Sequence, residues 1–128
     1  MTKLNIALTI AGTDPSGGAG VMADLKSFQA RGVYGMAAIT SVVAQNTLGV
    51  QKICNLDLEI FEAQLKSVFD DIPPYALKTG MIPTLEHMEV IEKYLSKEIP
   101  YVLDPVMIAT SGDRLIDEKA QTALEQKL

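Results

Sequence analysis

The chain has 128 residues, of which 48% are hydrophobic and 21% charged, and its formal net charge is −5 at pH 7. This length suits one domain with a buried core, and an acidic chain without a basic cluster argues against a nucleic-acid partner. No segment reaches the roughly 20 apolar residues of a membrane-spanning helix. The single cysteine, Cys54, excludes an internal disulfide, so we expect a soluble, cytoplasmic protein with Cys54 as a buried, inert thiol.

The hydrophobic pattern predicts strands and helices that alternate along the chain. The predicted strands are Ile6–Ile10, Ala37–Ala44, Val50–Leu56, a strand starting at Ala76–Leu77, and Tyr101–Leu103. The predicted helices are Ala19–Arg31, a helix capped by Asp57 and ended by Pro73 and Pro74, a helix capped by Thr84, and Asp117–Leu128. This alternation is typical of an α/β fold with a parallel sheet and helices packed on it.

Four polar or glycine-rich segments follow predicted strands: Gly12–Gly20, Gln45–Thr47, Lys78–Met81 and Asp104–Met107. In open α/β sheets, ligands bind outside the carboxyl ends of the strands. We therefore expect these four segments to converge on one site.

The segment Ala11–Gly20 (AGTDPSGGAG) is the most glycine-rich part of this site. Its glycines would let backbone N–H groups approach a small polar or anionic ligand at the start of a helix, although a plain tight turn would use the same residues. The spacing matches neither GxxxxGK[ST] nor GxGxxG, which makes a dinucleotide-binding oxidoreductase a remote alternative. Asp14 would either bind the ligand or stabilise the turn through its own backbone.

Further candidates each have two interpretations. The carboxamide of Gln45 matches the edge of an aminopyrimidine or an amide, but it could also be a surface glutamine. Met81 could wall a flat ring or belong to the core. Asp104, followed by Pro105, could hold Mg²⁺ directly or through water, or could cap its strand. We expect His87 to be a solvated helix residue.

Four motifs, in order and in register, are spread across nearly the whole chain: Leu8–Phe28 (LTIAGTDPSGGAGVMADLKSF), Ser41–Val50 (SVVAQNTLGV), Lys78–Met81 (KTGM) and Leu103–Leu115 (LDPVMIATSGDRL). Together they resemble the amino-terminal half of the hydroxymethylpyrimidine/phosphomethylpyrimidine kinases, a ribokinase-like family of thiamin biosynthesis. The resemblance implies a three-layer α/β fold with a mostly parallel central sheet and helices on both faces. Residues 1–128 would form the amino-terminal portion of a single, here truncated, kinase domain.

The resemblance also implies a reaction and its partners. The implied reaction is the ATP- and Mg²⁺-dependent phosphorylation of 4-amino-5-hydroxymethyl-2-methylpyrimidine and then of its monophosphate. A homodimer is also compatible with the resemblance. Gln45 would hydrogen-bond the aminopyrimidine edge, and Asp104 would lie near the phosphates and the metal. The other implied substrate-binding residues are Gly12, Asp14 and Ala19 around the pyrimidine, with Val43, Met81 and Val106 packed against the ring.

The sequence departs from this family by ending within the helix that follows Asp117. The family's second half carries its N-x-x-E-type metal motif, its glycine-rich anion hole and its catalytic base. We therefore expect no catalytic residue in this chain, a base beyond Leu128, and no kinase activity from these 128 residues alone. A pyridoxal kinase of the same superfamily and a non-catalytic pyrimidine-binding module remain open, although Gln45 favours the aminopyrimidine.

Overall fold

The structure is a computed structural model that describes residues 4–106 and Thr122. The predicted helix over residues 117–128, and Met107, lie outside this described part apart from Thr122, which is helical. In chain order the elements are β1 (Ile6–Ala11), α1 (Gly20–Ala30), β2 (Tyr34–Ile39), β3 (Ser41–Asn46), β4 (Gly49–Asn55), α2 (Leu58–Asp71), β5 (Ala76–Thr79), α3 (Leu85–Glu92) and β6 (Tyr101–Leu103).

The central sheet has four strands in the order β2-β1-β5-β6, and every neighbouring pair is parallel. The segments that follow β1, β5 and β6 therefore emerge at the same edge of the sheet. The predicted α/β fold with a parallel sheet is confirmed.

Helices cover both faces of this sheet. Side chains along a strand point alternately to opposite faces. Thr9 of β1 faces α1, because its Oγ1 donates a hydrogen bond to Oδ2 of Asp24 at 2.6 Å. Leu8 and Ile10 point the other way, into a core that includes Phe61 of α2 and the apolar side of α3. The structure therefore has the three layers that the family resemblance implies.

The predicted strand over residues 37–44 is wrong in its extent, because the chain leaves the sheet at Thr40. The N–H of this fully buried residue donates to the carbonyl oxygen of Ala11 at 2.9 Å, and its hydroxyl donates to that of Met81 at 2.9 Å. Beyond this anchor the chain forms β3, which pairs antiparallel with β4 in a separate two-stranded sheet. We call β3 and β4 the ribbon. Gln45 thus reaches the sheet edge from the ribbon rather than from the end of a parallel strand.

Both predicted helix caps are confirmed, but the prediction for His87 is wrong. Asp57 accepts a hydrogen bond from the N–H of Ile60 at 2.9 Å, and Thr84 accepts one from the N–H of His87. The His87 ring is 4% exposed, with Nε2 2.9 Å from the carbonyl oxygen of Leu56 and Nδ1 2.6 Å from the Thr84 hydroxyl. A histidine whose two ring nitrogens are both paired can be buried at little cost.

The prediction of a buried Cys54 is also wrong, since the residue is exposed. It pairs across the ribbon with Val42, which is 52% exposed. Both side chains lie on the ribbon face that points away from the core, while Val43 points inward. Among the described helices, none is long and apolar enough to cross a membrane.

Candidate functional site

The carboxyl-terminal edge of the parallel sheet borders a cleft of about 920 Å³. All four segments expected to converge contribute to it: the glycine-rich loop after β1, the tip of the ribbon, the turn after β5 and residues 104–106 after β6. The expected convergence of these segments is confirmed.

Most of the sequence-predicted site residues line this cleft: Gly12, Asp14, Ala19, Gln45, Met81, Asp104 and Val106. Val43 is the exception, because it is 1% exposed and belongs to the hydrophobic core. Its Cγ2 would lie 3.5 Å from a Cβ added to Gly12. Val43 therefore supports the glycine-rich loop from beneath instead of lining the cleft, which corrects its expected place beside the ring.

The glycine-rich loop packs tightly against the start of α1. The N–H of Val21 donates to the carbonyl oxygen of Gly12 at 3.0 Å. Gly20 has φ +60°, and a Cβ there would lie 2.3 Å from the same carbonyl oxygen. A Cβ on Gly12 would meet Sδ of Met81 at 3.2 Å. The loop thus needs glycine at position 20 on steric grounds, and glycine at position 12 avoids crowding Met81.

Asp14 organises the loop from within. Its side chain is almost completely buried, its Oδ1 accepts from both the N–H and the hydroxyl of Ser16, and its Oδ2 accepts from the N–H of Gly18 at 3.0 Å. Burial raises the pKa of Asp14, but hydrogen bonds from Ser16, Gly18 and Ala19 outweigh this effect and hold its pKa below its ordinary value. Both oxygens thus stabilise the turn, while contact of Asp14 with a ligand stays a prediction.

Gln45 ties the ribbon to the glycine-rich loop. Its Nε2 donates to the carbonyl oxygen of Thr13 at 3.1 Å, and the Thr13 hydroxyl accepts from the N–H of Val43 at 2.9 Å. These bonds fix the plane of the carboxamide at the wall of the cleft. The Oε1 acceptor and the second N–H of Nε2 have no hydrogen bond to the described residues. Gln45 therefore offers an acceptor and a donor in one plane.

The cleft also contains an ion-pair network that the sequence analysis did not assign to the site. Nζ of Lys78 lies 2.8 Å from Oδ2 of Asp24 and 3.9 Å from Oδ2 of Asp104. Asp24 stands on α1, 54 residues before Lys78 in the chain. The KTGM motif indicated that Lys78 lies near the site. Its pairing with Asp24 could not be predicted from the sequence, because it depends on how β5 packs beside β1.

Asp104, which the sequence analysis considered for a metal ion, presents its carboxylate at the cleft. Its side chain is 54% exposed at the cleft, and its N–H donates to the carbonyl oxygen of Thr79 at 3.0 Å. Within residues 4–106 no group of three or more His, Cys, Asp or Glu side chains could hold a metal ion. Mg²⁺ at kinase sites is commonly bound by one or two carboxylates together with substrate phosphates. Asp104 presents one such carboxylate at the cleft.

The fold is that of the ribokinase-like kinases, and solved structures agree with this fold class. The crystal structure of phosphomethylpyrimidine kinase from Clostridium difficile 630 matches with a TM-score of 0.84 and 48% identity, over 94% of this chain and 53% of that one. Pyridoxal kinase from Staphylococcus aureus in complex with AMP-PCP and pyridoxal matches with a TM-score of 0.71 and 42% identity, over 82% of this chain and 40% of that one.

The chain belongs to the phosphomethylpyrimidine kinase family, whose model matches residues 14–128. The hydroxymethylpyrimidine/phosphomethylpyrimidine kinase of Staphylococcus aureus (strain MRSA252) is 60% identical over 130 aligned positions, which cover all of this chain and 47% of that protein. The chain thus spans about half the length of the curated relatives that it matches.

Proposed function

We propose that this chain carries the acceptor-binding side of an ATP- and Mg²⁺-dependent kinase of thiamin biosynthesis. Its acceptors would be 4-amino-5-hydroxymethyl-2-methylpyrimidine and then the monophosphate of that alcohol. The observation that carries the proposal is the carboxamide of Gln45, which Thr13 holds at the cleft wall with an acceptor and a donor left for a ligand.

The residues around Gln45 suit a flat heteroaromatic ring. The Oε1 of Gln45 would accept from the exocyclic amino group, and its free N–H would donate to the adjacent ring nitrogen. Gly12 and Ala19 have little or no side chain. Met81, which is 6% exposed, also lines the cleft. Because these surfaces are small or apolar, the ring could stack closely against the loop.

Phosphoryl transfer from ATP requires mainly position and charge neutralisation. The alcohol oxygen would form a bond to the γ-phosphorus and give its proton to a base, while the bond to the leaving ADP breaks. Asp104 would hold Mg²⁺ at the phosphates, and the metal would supply positive charge for the developing negative charge. The glycine-rich loop would fix the acceptor so that its hydroxyl points toward this position.

Pyridoxal is the competing acceptor, because a pyridoxal kinase solved with pyridoxal is 42% identical to the part of the chain that it matches. The test uses the full product of the reading frame that encodes this chain, with ATP and Mg²⁺. Phosphorylation of the pyrimidine alcohol, its monophosphate and pyridoxal is followed by ³¹P NMR and by ADP release. We expect the highest kcat/KM with the two pyrimidines. Faster turnover of pyridoxal would reassign the substrate, and pyrimidine binding without turnover would indicate a non-catalytic module.

A further inference from the structure

We propose that Lys78 binds the phosphate group of the phosphorylated acceptor, so that the cleft contains a phosphomonoester subsite beside the pyrimidine edge. This inference rests on the proposed function, because it concerns the second of the two phosphorylations. It assigns to Lys78 a selective role, in which the ammonium contributes more to binding and phosphorylation of the monophosphate than to those of the uncharged alcohol.

The charge distribution of the cleft is the first reason. Among the described lining residues, Lys78 is the one cation, whereas Asp14, Asp24 and Asp104 are acidic. A phosphomonoester carries between one and two negative charges near neutral pH. Without a cation, these carboxylates would repel such a ligand, so the charge of Lys78 favours a phosphate on its side of the cleft.

The second reason is that the ammonium is held in place before any ligand binds. Thr9 is completely buried, and its hydroxyl donates to Oδ2 of Asp24 at 2.6 Å. The same oxygen accepts from Nζ of Lys78 at 2.8 Å, and both charged side chains are about one-fifth exposed. An ammonium has three N–H donors. Asp24 takes one, and Asp104 at 3.9 Å is beyond hydrogen-bond distance, which leaves donors for a phosphate.

Gly80 supplies the third reason, because it makes room for this side chain. A Cβ at position 80 would lie 3.1 Å from Nζ of Lys78 and 3.0 Å from Cβ of Ala11. At these distances the ammonium or Ala11 would have to give way by a few tenths of an ångström. The lysine and the glycine of the KTGM motif therefore act together to position one positive charge at the cleft.

The sheet order places this charge suitably for a second phosphorylation. β5 lies between β1 and β6. Lys78 is therefore between the glycine-rich loop, which would hold the pyrimidine, and Asp104, which would lie at the ATP phosphates. In this step an oxygen of the acceptor phosphate forms a bond to the γ-phosphorus of ATP, the bond to the bridging oxygen breaks, and ADP leaves with its electron pair. Lys78 would neutralise the attacking phosphate as the two anions approach.

The experiment compares the two acceptors in variants of the full reading-frame product. We expect Lys78→Met to lower kcat/KM for the monophosphate about 10- to 100-fold more than for the alcohol, and its affinity for the monophosphate without ATP to fall by a similar ratio. Lys78→Arg should recover part of the loss because it retains the charge. Lys66→Met is the matched control, since Lys66 also pairs with an aspartate, Asp70, but on the exposed surface of α2; it should leave the ratio unchanged.

A second variant guards against loss of folding in Lys78→Met. Gly80→Ala keeps the charge but crowds the ammonium. It should therefore change the ratio of kcat/KM for the monophosphate to kcat/KM for the alcohol in the same direction as Lys78→Met. Equal losses for both acceptors in Lys78→Met and Gly80→Ala would overturn the inference, because they would indicate a role toward ATP or in stability. If the unaltered protein phosphorylates neither pyrimidine, the proposed function itself fails. If it phosphorylates both and the ratio stays constant in the variants, only this inference fails.

Discussion

The side-chain nitrogen of Gln45 lies 3.1 Å from the carbonyl oxygen of Thr13, a residue 32 positions earlier in the chain. This bond joins the tip of the ribbon to the glycine-rich loop and sets the orientation of the carboxamide at the cleft. The residue proposed to recognise the pyrimidine thus also helps to join two separate segments of the chain.

Gln45→Leu should weaken recognition of the pyrimidine while leaving ATP binding intact. The substitution removes the proposed bonds to the acceptor and leaves polar groups of the ring unpaired. We expect kcat/KM for the pyrimidine alcohol to fall about 10- to 100-fold with little change in KM for ATP. Gln51→Leu is a control on the same ribbon, because Gln51 is exposed and does not line the cleft. Equal losses in the two variants would contradict the role of Gln45.

Gly12→Val should raise KM for the pyrimidine far more than KM for ATP. A Cβ at position 12 would already lie 3.2 Å from Sδ of Met81, so the larger side chain would displace Met81 or the glycine-rich loop on the proposed acceptor side of the cleft. Steady-state kinetics with each substrate varied in turn measures both constants. A larger rise in KM for ATP would assign the glycine-rich loop to the nucleotide instead.

Two further glycines separate the effect of backbone conformation from the effect of crowding. Gly20 and Gly32 both have positive φ, but a Cβ at position 20 would lie 2.3 Å from the carbonyl oxygen of Gly12, whereas nothing lies within 4 Å of one at position 32. Left-handed backbone costs about 1–2 kcal/mol for a residue with a Cβ. Gly32→Ala should lose about that much stability, and Gly20→Ala clearly more. Urea unfolding midpoints provide the comparison, and equal midpoints would contradict the steric explanation.

Asp14 should make the stability of the protein depend on pH in the acidic range. Its pKa in the folded state lies below its ordinary value of 3.8, so the unfolded chain binds the proton more readily. The stabilisation is therefore fully present above that ordinary value and is lost as the pH falls through the lower, folded-state pKa. Urea unfolding of Asp14→Asn and of the unaltered protein between pH 7 and pH 3 tests this. The difference in stability between the two should shrink on acidification, and a constant difference would refute the role of the carboxylate.

His87→Ala should destabilise the protein strongly. It removes a buried ring that lies 5.0 Å from the ring of Phe61 and leaves the carbonyl oxygen of Leu56 without its partner. Cavity formation and an unpaired buried group together cost about 2–4 kcal/mol. Ser67→Ala, an exposed substitution on α2, serves as the control in thermal unfolding. A similar melting temperature for both variants would restore the original prediction of a solvated His87.

The sequence predicted the parallel sheet, its helices and the converging segments because these follow from local signals. Alternation of apolar runs identified β1, β5 and β6, and the caps Asp57 and Thr84 were recognisable from residue type and spacing. The glycine-rich loop was recognisable from composition. The predictions of a cytoplasmic location and of a homodimer stay predictions.

The features that the sequence did not predict depend on contacts between distant residues. The break at Thr40 arises because its hydroxyl meets Met81, 41 positions later. His87 is buried because Leu56 offers a carbonyl oxygen 31 positions away, and Asp24 belongs to the cleft because of Lys78. No local pattern marks such pairs. The exposure of Cys54 likewise follows from β4 pairing with β3 outside the parallel sheet.

The ribbon has a consequence for how binding and local order are linked. A two-stranded antiparallel sheet is marginally stable by itself, so the ribbon depends on its anchors to the body at Thr40 and Thr13. A ring held by Gln45 would add a third anchor at the opposite end of the ribbon from Thr40. Occupancy of the cleft would then slow local opening of the β3–β4 pairing. Amide hydrogen exchange in the ribbon would report the bound acceptor, whereas exchange in the buried strand β1 should change little.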